Sequence, residues 1–417
     1  MANQDFSLPE GTHTVVMGLG DMCGIMRGKR IPASHWESIC KNGNAYSIAL
    51  FAIDMTCDVW DTPYVNFDNG YPDFHMFPMT KPAALPWEPG VAMCMARGEG
   101  MDHKEVPIDP RNVLKRQLER AAAMGYEIQV GSELEFYLLD PETNLPKDSG
   151  IGVYSLDRAS ELEHVLGPIR QQINEYGIPI EQSNPEYAAG QVEVNIRYDE
   201  AMISADRTVE FRTLVKQLAA AHGYKATFMA KPFFEESGNG FHTHYSLWKD
   251  GKPMFVDTDD ELGMSDLMRH YMAGLIAYAP EYTFFLAPYV NSYKRFSKGT
   301  FAPTKTVWSV DNRTAGFRLC GEGTKGVRVE CRIGGSDLNP YLAQAVMLAA
   351  GVQGIEDAME LAPATTGDVY EDAKAMDIPQ TLRDATQTLR GSKFLREVLG
   401  DDVVDHYTRA AEWEQEE

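Results

Sequence analysis

The chain has 417 residues, of which 44% are hydrophobic and 24% are charged, and its formal net charge at pH 7 is −23. At roughly 150 residues per domain, this length predicts two or three folded units that can bury a large core without disulfide or metal crosslinks. Because an excess of carboxylates repels phosphate backbones and anionic lipid headgroups, we expect neither nucleic acid nor a membrane among the partners.

The cysteines and the apolar segments indicate a cytoplasmic protein. The six cysteines are Cys23, Cys40, Cys57, Cys94, Cys320 and Cys331. Their scattered positions, without a CxxC pair, are typical of reduced thiols. The N-terminal sequence lacks a basic stretch followed by an apolar one, and no apolar run reaches the roughly 18 residues of a membrane span.

The first hundred residues combine short β-type runs with irregular segments. Apolar and β-branched residues predict strands over residues 13–19 and 46–54. The intervening segments, such as NFDNGYPDFHMFPM, are rich in glycine, proline and aromatic residues, which is typical of loops.

The pattern changes near residue 105. Residues 109–111, Asp-Pro-Arg, open a run with apolar residues at helical spacing, and Gly125 ends it. We therefore predict a domain boundary here, with an N-terminal domain over residues 1–105 and a larger domain over residues 106–417.

In the larger domain, strands are expected to alternate with helices. The predicted strands cover residues 127–139, 190–198, 242–248, 305–312, 316–320 and 327–334. The predicted helices cover residues 159–177, 206–223, 267–282 and 340–359. Strands with alternating polar and apolar residues, combined with helices, predict an α+β domain whose sheet has one polar, open face.

Polar side chains recur at every second residue in three β-type segments, and a fourth segment adds two carboxylates. The pairs are Glu133 and Glu135, His242 and His244, and Glu330 and Arg332, and the fourth segment contributes Glu186 and Glu193. Because side chains alternate along a strand, each pair lies on one face of its strand.

Each pair alone is also typical of a solvated strand face, and a single histidine is more often a hydrogen-bonded side chain than a ligand. The combination is harder to explain in that way. Five carboxylates and an imidazole on neighbouring strands would repel one another unless cations held them together. Oxygen-rich ligation with one imidazole fits Mg²⁺ or Mn²⁺ better than structural zinc, which prefers thiolates.

A second group of side chains is cationic. Its members are Arg295, Arg313, Arg318, Arg328 and Arg332. Arginine is most often a surface residue, but arginines that alternate along strands beside carboxylates suit the binding of phosphate and carboxylate groups. Gly238 and Gly240 precede the first histidine and would let backbone amides approach an anionic ligand. Together these features predict metal-dependent phosphoryl transfer onto an anionic acceptor.

Seven strings at these positions resemble the glutamine synthetase family, in family order over residues 106–360. They are GSELEF, PEYAAGQVEV, GNGFHTHYSL, NSYKRF, DNRTAGFR, VECRI and NPYLAQAVMLAAGVQGIED. The resemblance implies a small N-terminal β-grasp domain and a large catalytic domain with a curved antiparallel sheet and flanking helices. It also implies a homo-oligomer, usually a dodecamer of two hexameric rings, with each site between neighbouring subunits.

The resemblance also implies a role for each candidate residue. The metal ion that orients glutamate would be held by Glu135, Glu186 and Glu193. The metal ion that bridges the ATP phosphates would be held by Glu133, His242 and Glu330. Glutamate would be bound by Gly238 and Arg295. ATP would be contacted by His244, Ser246, Arg313 and Arg318. The transferring phosphoryl group would be stabilised by Arg313 and Arg332.

The sequence departs from ammonia-using members of the family at one position. After NSYKR those members carry a glutamate two residues before a proline, whereas this chain has Phe301 two residues before Pro303. Phenylalanine cannot accept a proton, but it can line an apolar wall for an amine with a carbon substituent. In this respect the chain resembles the branch that makes γ-glutamyl amides of alkylamines, polyamines, ethanolamine or arylamines.

The N-terminal segment contributes further candidates for the amine site. The resemblance implies that Asp54 positions the amine or takes its proton. Four aromatic residues could add apolar surface to the amine site or belong to the core: Trp60, Tyr64, Phe74 and Trp308.

The sequence thus predicts an ATP-dependent ligase that forms a γ-glutamyl amide from glutamate and an organic amine, through a γ-glutamyl phosphate. Two or more Mg²⁺ or Mn²⁺ ions are expected as cofactors. Three alternatives stay open: a glutamine synthetase that uses ammonia, a related kinase that phosphorylates a nitrogen, and an inactive relative.

Overall fold

The computed structural model describes residues 5–148, 152–372 and 374–416. The strands are β1 Thr14–Gly20, β2 Met26–Pro32, β3 Asn44–Ser47, β4 Asp73–Pro78, β5 Ala83–Ala84, β6 Val91–Gly100, β7 Glu127–Leu139, β8 Ile180–Pro185, β9 Gln191–Glu200, β10 Lys225–Thr227, β11 Phe241–Lys249, β12 Lys252–Pro253, β13 Trp308–Val310, β14 Phe317–Cys320 and β15 Arg328–Cys331. The helices are α1 Trp36–Asn42, α2 Pro110–Ala123, α3 Leu156–Tyr176, α4 Ala201–Ala221, α5 Asp266–Leu286, α6 Val290–Tyr293, α7 Pro340–Glu356, α8 Leu382–Gly391, α9 Lys393–Leu399 and α10 Asp401–Glu416.

The strands form two sheets. The first has the order β2-β1-β6-β4-β3, with β5 paired to β6, and β1 runs parallel to β6. The second has the order β13-β14-β15-β11-β7-β9-β8, with β10 paired to β7 and β12 to β11. Its described pairs are antiparallel except β13 and β14, which are parallel. The expected antiparallel sheet is therefore mixed at this edge.

The predicted α2 helix is confirmed, and its start follows from capping. The Asp109 side chain accepts a hydrogen bond from the Arg111 amide, and proline occupies the first turn. The α4 helix begins earlier than the predicted residue 206, because Ala201 and Ala205 extend its buried face at a spacing of four residues.

The predicted strand over residues 46–54 is wrong beyond Ser47. There the chain turns into a 3₁₀ helix, Ile48–Phe51, and the Ser47 hydroxyl accepts a hydrogen bond from the Ala49 amide at 3.2 Å. Ile48 and Phe51 are three residues apart and both buried, which matches the 3₁₀ repeat. Because residues 48–53 are all apolar, the sequence pattern does not reveal this three-residue period.

The larger apolar cluster packs around the second sheet and also includes Val91, Met93 and Met95 of β6, and a second cluster packs on the first sheet. The cluster at the first sheet includes Val106 and Ile108, which lie just beyond the predicted boundary. The division into residues 1–105 and 106–417 stays a prediction.

The six cysteines are unpaired thiols. Of the helices in the described ranges, none combines the length and apolarity needed to cross a membrane.

Helices α5 and α7 cross at paired glycines. A Cβ atom on Gly274 would meet the Ala350 carbonyl oxygen and lie 2.8 Å from the Gly354 nitrogen. Because both neighbours are backbone atoms, the helices would have to separate. We expect Gly274→Ala to lower the free energy of unfolding by about 1–3 kcal/mol, measured by denaturant titration.

Gly391→Ala is the matched control for this substitution. A Cβ atom there meets no described atom within 4 Å, so stability should stay unchanged or rise by about 0.5–1 kcal/mol. Equal unfolding midpoints for the two variants would contradict the proposed tight crossing.

Candidate active site

The register of the second sheet brings the predicted polar pairs onto one face. Strand β11 lies between β7 and β15. His242 stands opposite Glu133 of β7, and His244 stands opposite Glu330 of β15. Directly opposed residues in antiparallel strands share a face, so these four side chains project to the same side of the sheet.

Neighbouring strands extend this polar face in both directions. Glu135 of β7 stands opposite Glu193 of β9. On the other side, Arg318 of β14 stands opposite Glu330. Residues from five strands therefore meet above one surface, although they are far apart in the sequence.

Two adjoining clefts open above this face. The first is lined by Glu133, Glu135, Glu186, Glu193, Gly238, His242, Arg295, Phe301, Arg313, Arg318, Glu330 and Arg332. The second is lined by His244 and Ser246, together with Lys325, Arg328 and Trp248. Glu133 and Asn195 line both clefts. Asp54 is not among the described residues that line either of them.

The acidic side chains form three groups whose ligand atoms lie within 4.8 Å of one another. The groups are Glu135 with Glu186 and Glu193, Glu133 with Glu193 and His242, and Glu133 with His244 and Glu330. Nδ1 of His242 also lies 3.7 Å from a carboxylate oxygen of Glu330. Carboxylate oxygens with an occasional imidazole are the donor set that Mg²⁺ and Mn²⁺ accept.

Three of the carboxylates are held together against their mutual repulsion. Burial, followed by the charges of Glu133, Glu135 and Glu186, raises the pKa of Glu193 to about 9. Burial and the charge of Glu186 likewise raise the pKa of Glu135. Since bound cations would relieve this repulsion, the residues fit a metal site.

The other two carboxylates are stabilised in their ionised form. Burial opposes the charge of Glu133, but the neighbouring His242 and His244 outweigh it and hold its pKa well below the usual range. Burial also opposes the charge of Glu330, yet Arg332 and the two histidines lower its pKa to about 2. These acids are ready to hold a cation at neutral pH.

Two arginines flank Glu330. Nη1 of Arg332 lies 2.6 Å from one of its carboxylate oxygens, and Nη1 of Arg318 lies 2.8 Å from the other. Nε of Arg332 also donates to the Arg313 carbonyl oxygen at 3.2 Å. Nε and Nη2 of Arg318 donate to Asp311, whereas Nη2 of Arg332 has no described partner and could bind an anion in the cleft.

The Arg295 side chain lies so close to the backbone at position 238 that only glycine fits there. A Cβ atom on Gly238 would lie 2.6 Å from Cγ of Arg295 and 2.7 Å from the Ala230 carbonyl oxygen. Arg295 is buried and donates through Nη2 to the Ile333 and Gly334 carbonyl oxygens, whereas its Nε has no described partner. An unpaired buried donor at the cleft wall is suited to a carboxylate ligand.

The backbone amides of Asn239 and Gly240 in this glycine turn form hydrogen bonds within the protein. The Gly240 amide donates to Glu135 at 2.7 Å, and the Asn239 amide donates to the Ala230 carbonyl oxygen at 2.7 Å. These two amides are therefore already engaged, contrary to the expectation that the turn presents free amides to an anion.

Phe301 lies at the edge of the first cleft with a strained backbone. Its φ angle is +58°, and its side chain is 44% exposed. Its ring centroid lies 6.2 Å from that of Tyr187, which is also 44% exposed. The segment is anchored by the Tyr370 hydroxyl, which donates to the Ala302 carbonyl oxygen at 2.9 Å.

Sequence reasoning missed two aromatic residues of this cleft. Tyr187 follows Glu186 within PEYAAGQVEV, so its position beside a candidate ligand was a usable signal. Tyr154 also lines the cleft and has a φ angle of +57°, for which the sequence offered no signal. Tyr154, Tyr187 and Phe301 all line the first cleft, and we call them the aromatic edge.

The four aromatic residues proposed from the sequence lie elsewhere. Phe74 and Tyr64 belong to the apolar cluster of the first sheet. Trp308 is buried and donates to the Ala362 carbonyl oxygen at 2.7 Å. Trp60 lines a separate cavity. Within one chain, these four side chains are therefore packing residues and not a wall of the cleft.

Asp54 lies in that same separate cavity. One of its carboxylate oxygens accepts hydrogen bonds from the Thr56 amide and hydroxyl and the Asp58 amide, at 2.8, 2.8 and 2.9 Å. The other accepts a bond from Nε1 of Trp413 at 2.9 Å. Asp54 thus organises its own turn and does not reach the cleft of its own chain.

Comparison with known proteins identifies the family. Residues 107–417 match the family model described as the catalytic domain of glutamine synthetase. The chain belongs to the glutamine synthetase family. It is therefore an ATP-dependent ligase, and the family's use of ATP and divalent metal ions agrees with the acidic groups in the cleft.

Curated relatives in this family match almost the whole chain. The γ-glutamylethanolamide synthetase of Streptomyces coelicolor is 37% identical over 414 residues, which is 95% of this chain and 88% of that protein. A glutamate–isopropylamine ligase from a Pseudomonas species is 31% identical over 427 residues, covering 99% and 93%. A glutamine synthetase of Methanosarcina mazei is 33% identical over 414 residues, covering 95% and 90%.

Solved structures of the glutamine synthetase family show the same fold. A structure titled as a complex of GmaS with ADP has a TM-score of 0.87 at 31% identity, covering 98% of this chain and 94% of that one. The predicted glutamine synthetase fold is confirmed.

Proposed function

We propose that the chain joins the γ-carboxylate of glutamate to an organic amine at the expense of ATP. The observation that carries this proposal is the aromatic edge of the first cleft. Phe301 stands where ammonia-using members carry a glutamate, and Tyr187 lies beside it. Relatives named as amine ligases and as glutamine synthetases match at similar identity, so the choice of nitrogen substrate rests on this edge.

An aromatic edge favours a substituted amine over ammonia. Ammonium is small and strongly hydrated, and it gains little from apolar contact, whereas an alkyl or aryl substituent buries apolar surface against the rings. An exposed phenylalanine and tyrosine also offer their ring faces to a cation. The loss of the glutamate removes the carboxylate that would hold a bare ammonium ion.

Divalent metal ions would be held by the three acidic groups. Glu135, Glu186 and Glu193 suit one Mg²⁺ or Mn²⁺ ion. Glu133 suits another ion, either with His244 and Glu330 or with Glu193 and His242. When bound, such ions supply positive charge that neutralises phosphate oxygens and orients the reacting groups.

In the first chemical step, the γ-phosphoryl group of ATP is transferred to glutamate. A γ-carboxylate oxygen of glutamate attacks the γ-phosphorus of ATP, the bond to the bridging oxygen breaks, and ADP leaves. Arg313, Arg318 and Arg332 stabilise the charge on the transferring phosphoryl group. Arg295, whose buried Nε has no described hydrogen-bond partner, is our candidate for binding a carboxylate of glutamate beside Gly238.

The nucleotide fits the second cleft. Arg328 donates to Nδ1 of His244 at 3.2 Å, and Nε1 of Trp248 donates to Ser246 at 3.0 Å. This cleft therefore combines cationic side chains for phosphates with an aromatic surface for a base. Because Glu133 lines both clefts, the phosphates of a nucleotide bound in the second cleft would lie close to the acidic groups.

The second step forms the amide. A neutral amine attacks the acyl carbon of γ-glutamyl phosphate, inorganic phosphate leaves, and the amine loses one proton. Asp54 is our candidate for handling the amine. Because Asp54 is remote from the cleft of its own chain, this role requires the cleft of a neighbouring subunit, as in the proposed ring assembly.

An amine panel tests the proposed function. Purified protein is incubated with glutamate, ATP and Mg²⁺ and with ammonium, ethylamine, ethanolamine, putrescine or aniline. Phosphate release and mass spectrometry of the product are recorded. We expect an amide of an organic amine to form faster than glutamine. Glutamine as the preferred product would identify an ammonia-using enzyme, and a phosphoramidate would identify a kinase.

Phe301→Glu tests the aromatic edge directly. We expect this substitution to shift kcat/KM from the organic amine towards ammonia by about 10-fold or more, because a carboxylate attracts ammonium and the apolar contact is lost. Phe301→Leu is the matched control, since it carries the same backbone strain without the charge. An unchanged ratio of the two kcat/KM values in Phe301→Glu would rule out this residue as a determinant of specificity.

A further inference from the structure

Phe301 lies in the connection between α6 and β13, and we refer to residues 297–307 as the Phe301 loop. The loop contains neither a helix nor a strand; it is exposed as far as Phe301 and becomes buried at Ala302. The φ angle of Phe301, +58°, is one that residues with a side chain rarely adopt. Because such a conformation persists only where neighbouring contacts hold it, the contacts of this loop decide where the Phe301 ring lies.

The end of the Phe301 loop next to β13 is held by backbone hydrogen bonds to the segment that follows α7. The Thr306 amide donates to the Met376 carbonyl oxygen at 2.9 Å, and the Ile378 amide donates to the Thr304 carbonyl oxygen at 3.1 Å. These bonds fix the loop on the far side of Phe301 from its exposed tip. They do not reach residues 299–303, so the tip needs a contact of its own.

Tyr370 supplies this contact. Its side chain is 5% exposed, and its hydroxyl donates to the Ala302 carbonyl oxygen at 2.9 Å. In the described ranges, no other side chain from outside the Phe301 loop forms a hydrogen bond with residues 299–303. Lys298 pairs with Glu371 at 3.0 Å, but both side chains are more than half exposed, so this ion pair contributes little.

The Tyr370 hydroxyl also lies near two arginines of the first cleft. Burial raises the pKa of Tyr370, and the charges of Arg332 and Arg295 oppose this effect. The hydroxyl is therefore protonated at neutral pH and can donate a hydrogen bond. Tyr370 is not among the described residues that line the first cleft, whereas Phe301 and Ala302 are. Any influence of Tyr370 on a bound substrate is therefore exerted through the loop.

We propose that Tyr370 is a positioning residue for the amine substrate: its hydroxyl holds the backbone at Ala302, so that the neighbouring Phe301 ring stays beside Tyr187 in the aromatic edge. This inference rests on the proposed function, which assigns the aromatic edge to the amine. Without the hydroxyl, the tip of the Phe301 loop becomes mobile. The ring then spends less time in the position where it contacts the substituent of the amine.

Tyr370→Phe removes the hydroxyl and keeps the buried ring. We expect KM for the organic amine of the panel that reacts fastest to rise about fivefold or more, the change typical of one lost hydrogen bond. KM for glutamate and KM for ATP should stay within about twofold. Tyr282→Phe is the matched control, because its buried hydroxyl also donates to a carbonyl oxygen, that of Leu275 at 2.7 Å, and lines neither cleft. All three KM values should be unchanged in this control.

A double substitution separates positioning of the ring from a general loss of structure. In the Phe301→Ala background the ring is absent, so adding Tyr370→Phe should change KM for the amine by less than about twofold. An effect of equal size with and without the ring would overturn the proposal. Equal rises of the KM values for amine, glutamate and ATP would also overturn it.

Hydrogen exchange measured by mass spectrometry reports on the Phe301 loop without any substrate. We expect Tyr370→Phe to speed amide exchange in peptides from residues 297–307 by about fivefold or more and to leave exchange in α5 unchanged. Unchanged exchange in the loop would overturn the proposal. Ammonia as the preferred substrate of the unchanged protein would contradict the proposed function, whereas faster exchange in the loop would still support Tyr370 as its positioning residue.

Discussion

Glu133→Ala is expected to lower kcat by at least about 10³-fold, which corresponds to roughly 4 kcal/mol of transition-state stabilisation. Glu133 belongs to two of the three acidic groups, and His242 and His244 lie 3.5 and 3.0 Å from its carboxylate oxygens. Its removal therefore weakens two potential cation positions at once. Phosphate release in the presence of glutamate, ATP and amine measures the loss, and calorimetric titration with Mn²⁺ measures the cation affinity.

Glu127→Ala on the same strand is the control for this experiment. Its side chain is exposed at the start of β7, outside both clefts, so turnover should stay near the unchanged level. Glu135→Ala should abolish turnover as Glu133→Ala does, because Glu135 belongs to the remaining acidic group. Normal activity in either cleft variant would exclude the proposed metal ligands.

Arg332→Ala is expected to lower kcat by about 10²- to 10³-fold, the loss typical of removing one group that stabilises transition-state charge. Arg332 is buried and lies between Glu330 and the Arg313 carbonyl oxygen, with its guanidinium group facing the first cleft. Removing it also leaves Glu330 with Arg318 as its remaining arginine partner, so stability should fall by up to about 3 kcal/mol.

Initial rates over a range of glutamate and ATP concentrations separate these two effects. A role in the transition state predicts a fall in kcat with little change in KM, whereas a purely structural role predicts a lower melting temperature at near-normal kcat. Arg332→Lys keeps the charge but not the two directed contacts and should recover only part of the activity. Arg197→Ala, at an exposed position of β9, is the matched control.

Much of the candidate site follows from local sequence. Alternation of polar and apolar residues is enough to put Glu133 and Glu135 on one face of β7, because the period of a strand is two. Capping residues and helical spacing likewise indicate α2 from Asp109 to its glycine stop. Where the local pattern was ambiguous, as at Ile48–Phe51, the prediction of a strand was wrong.

The sequence by itself determined which side chains share a strand face, and with the family strings it indicated an acidic, arginine-rich site for phosphoryl transfer. Only the tertiary structure decided which strands are neighbours, that Tyr187 meets Phe301, and that Asp54 faces Trp413, 359 residues away in the chain. Side-chain direction follows from short-range backbone geometry, which a few residues define. Contacts between distant segments depend on how all elements pack around a common core, and no local pattern contains that information.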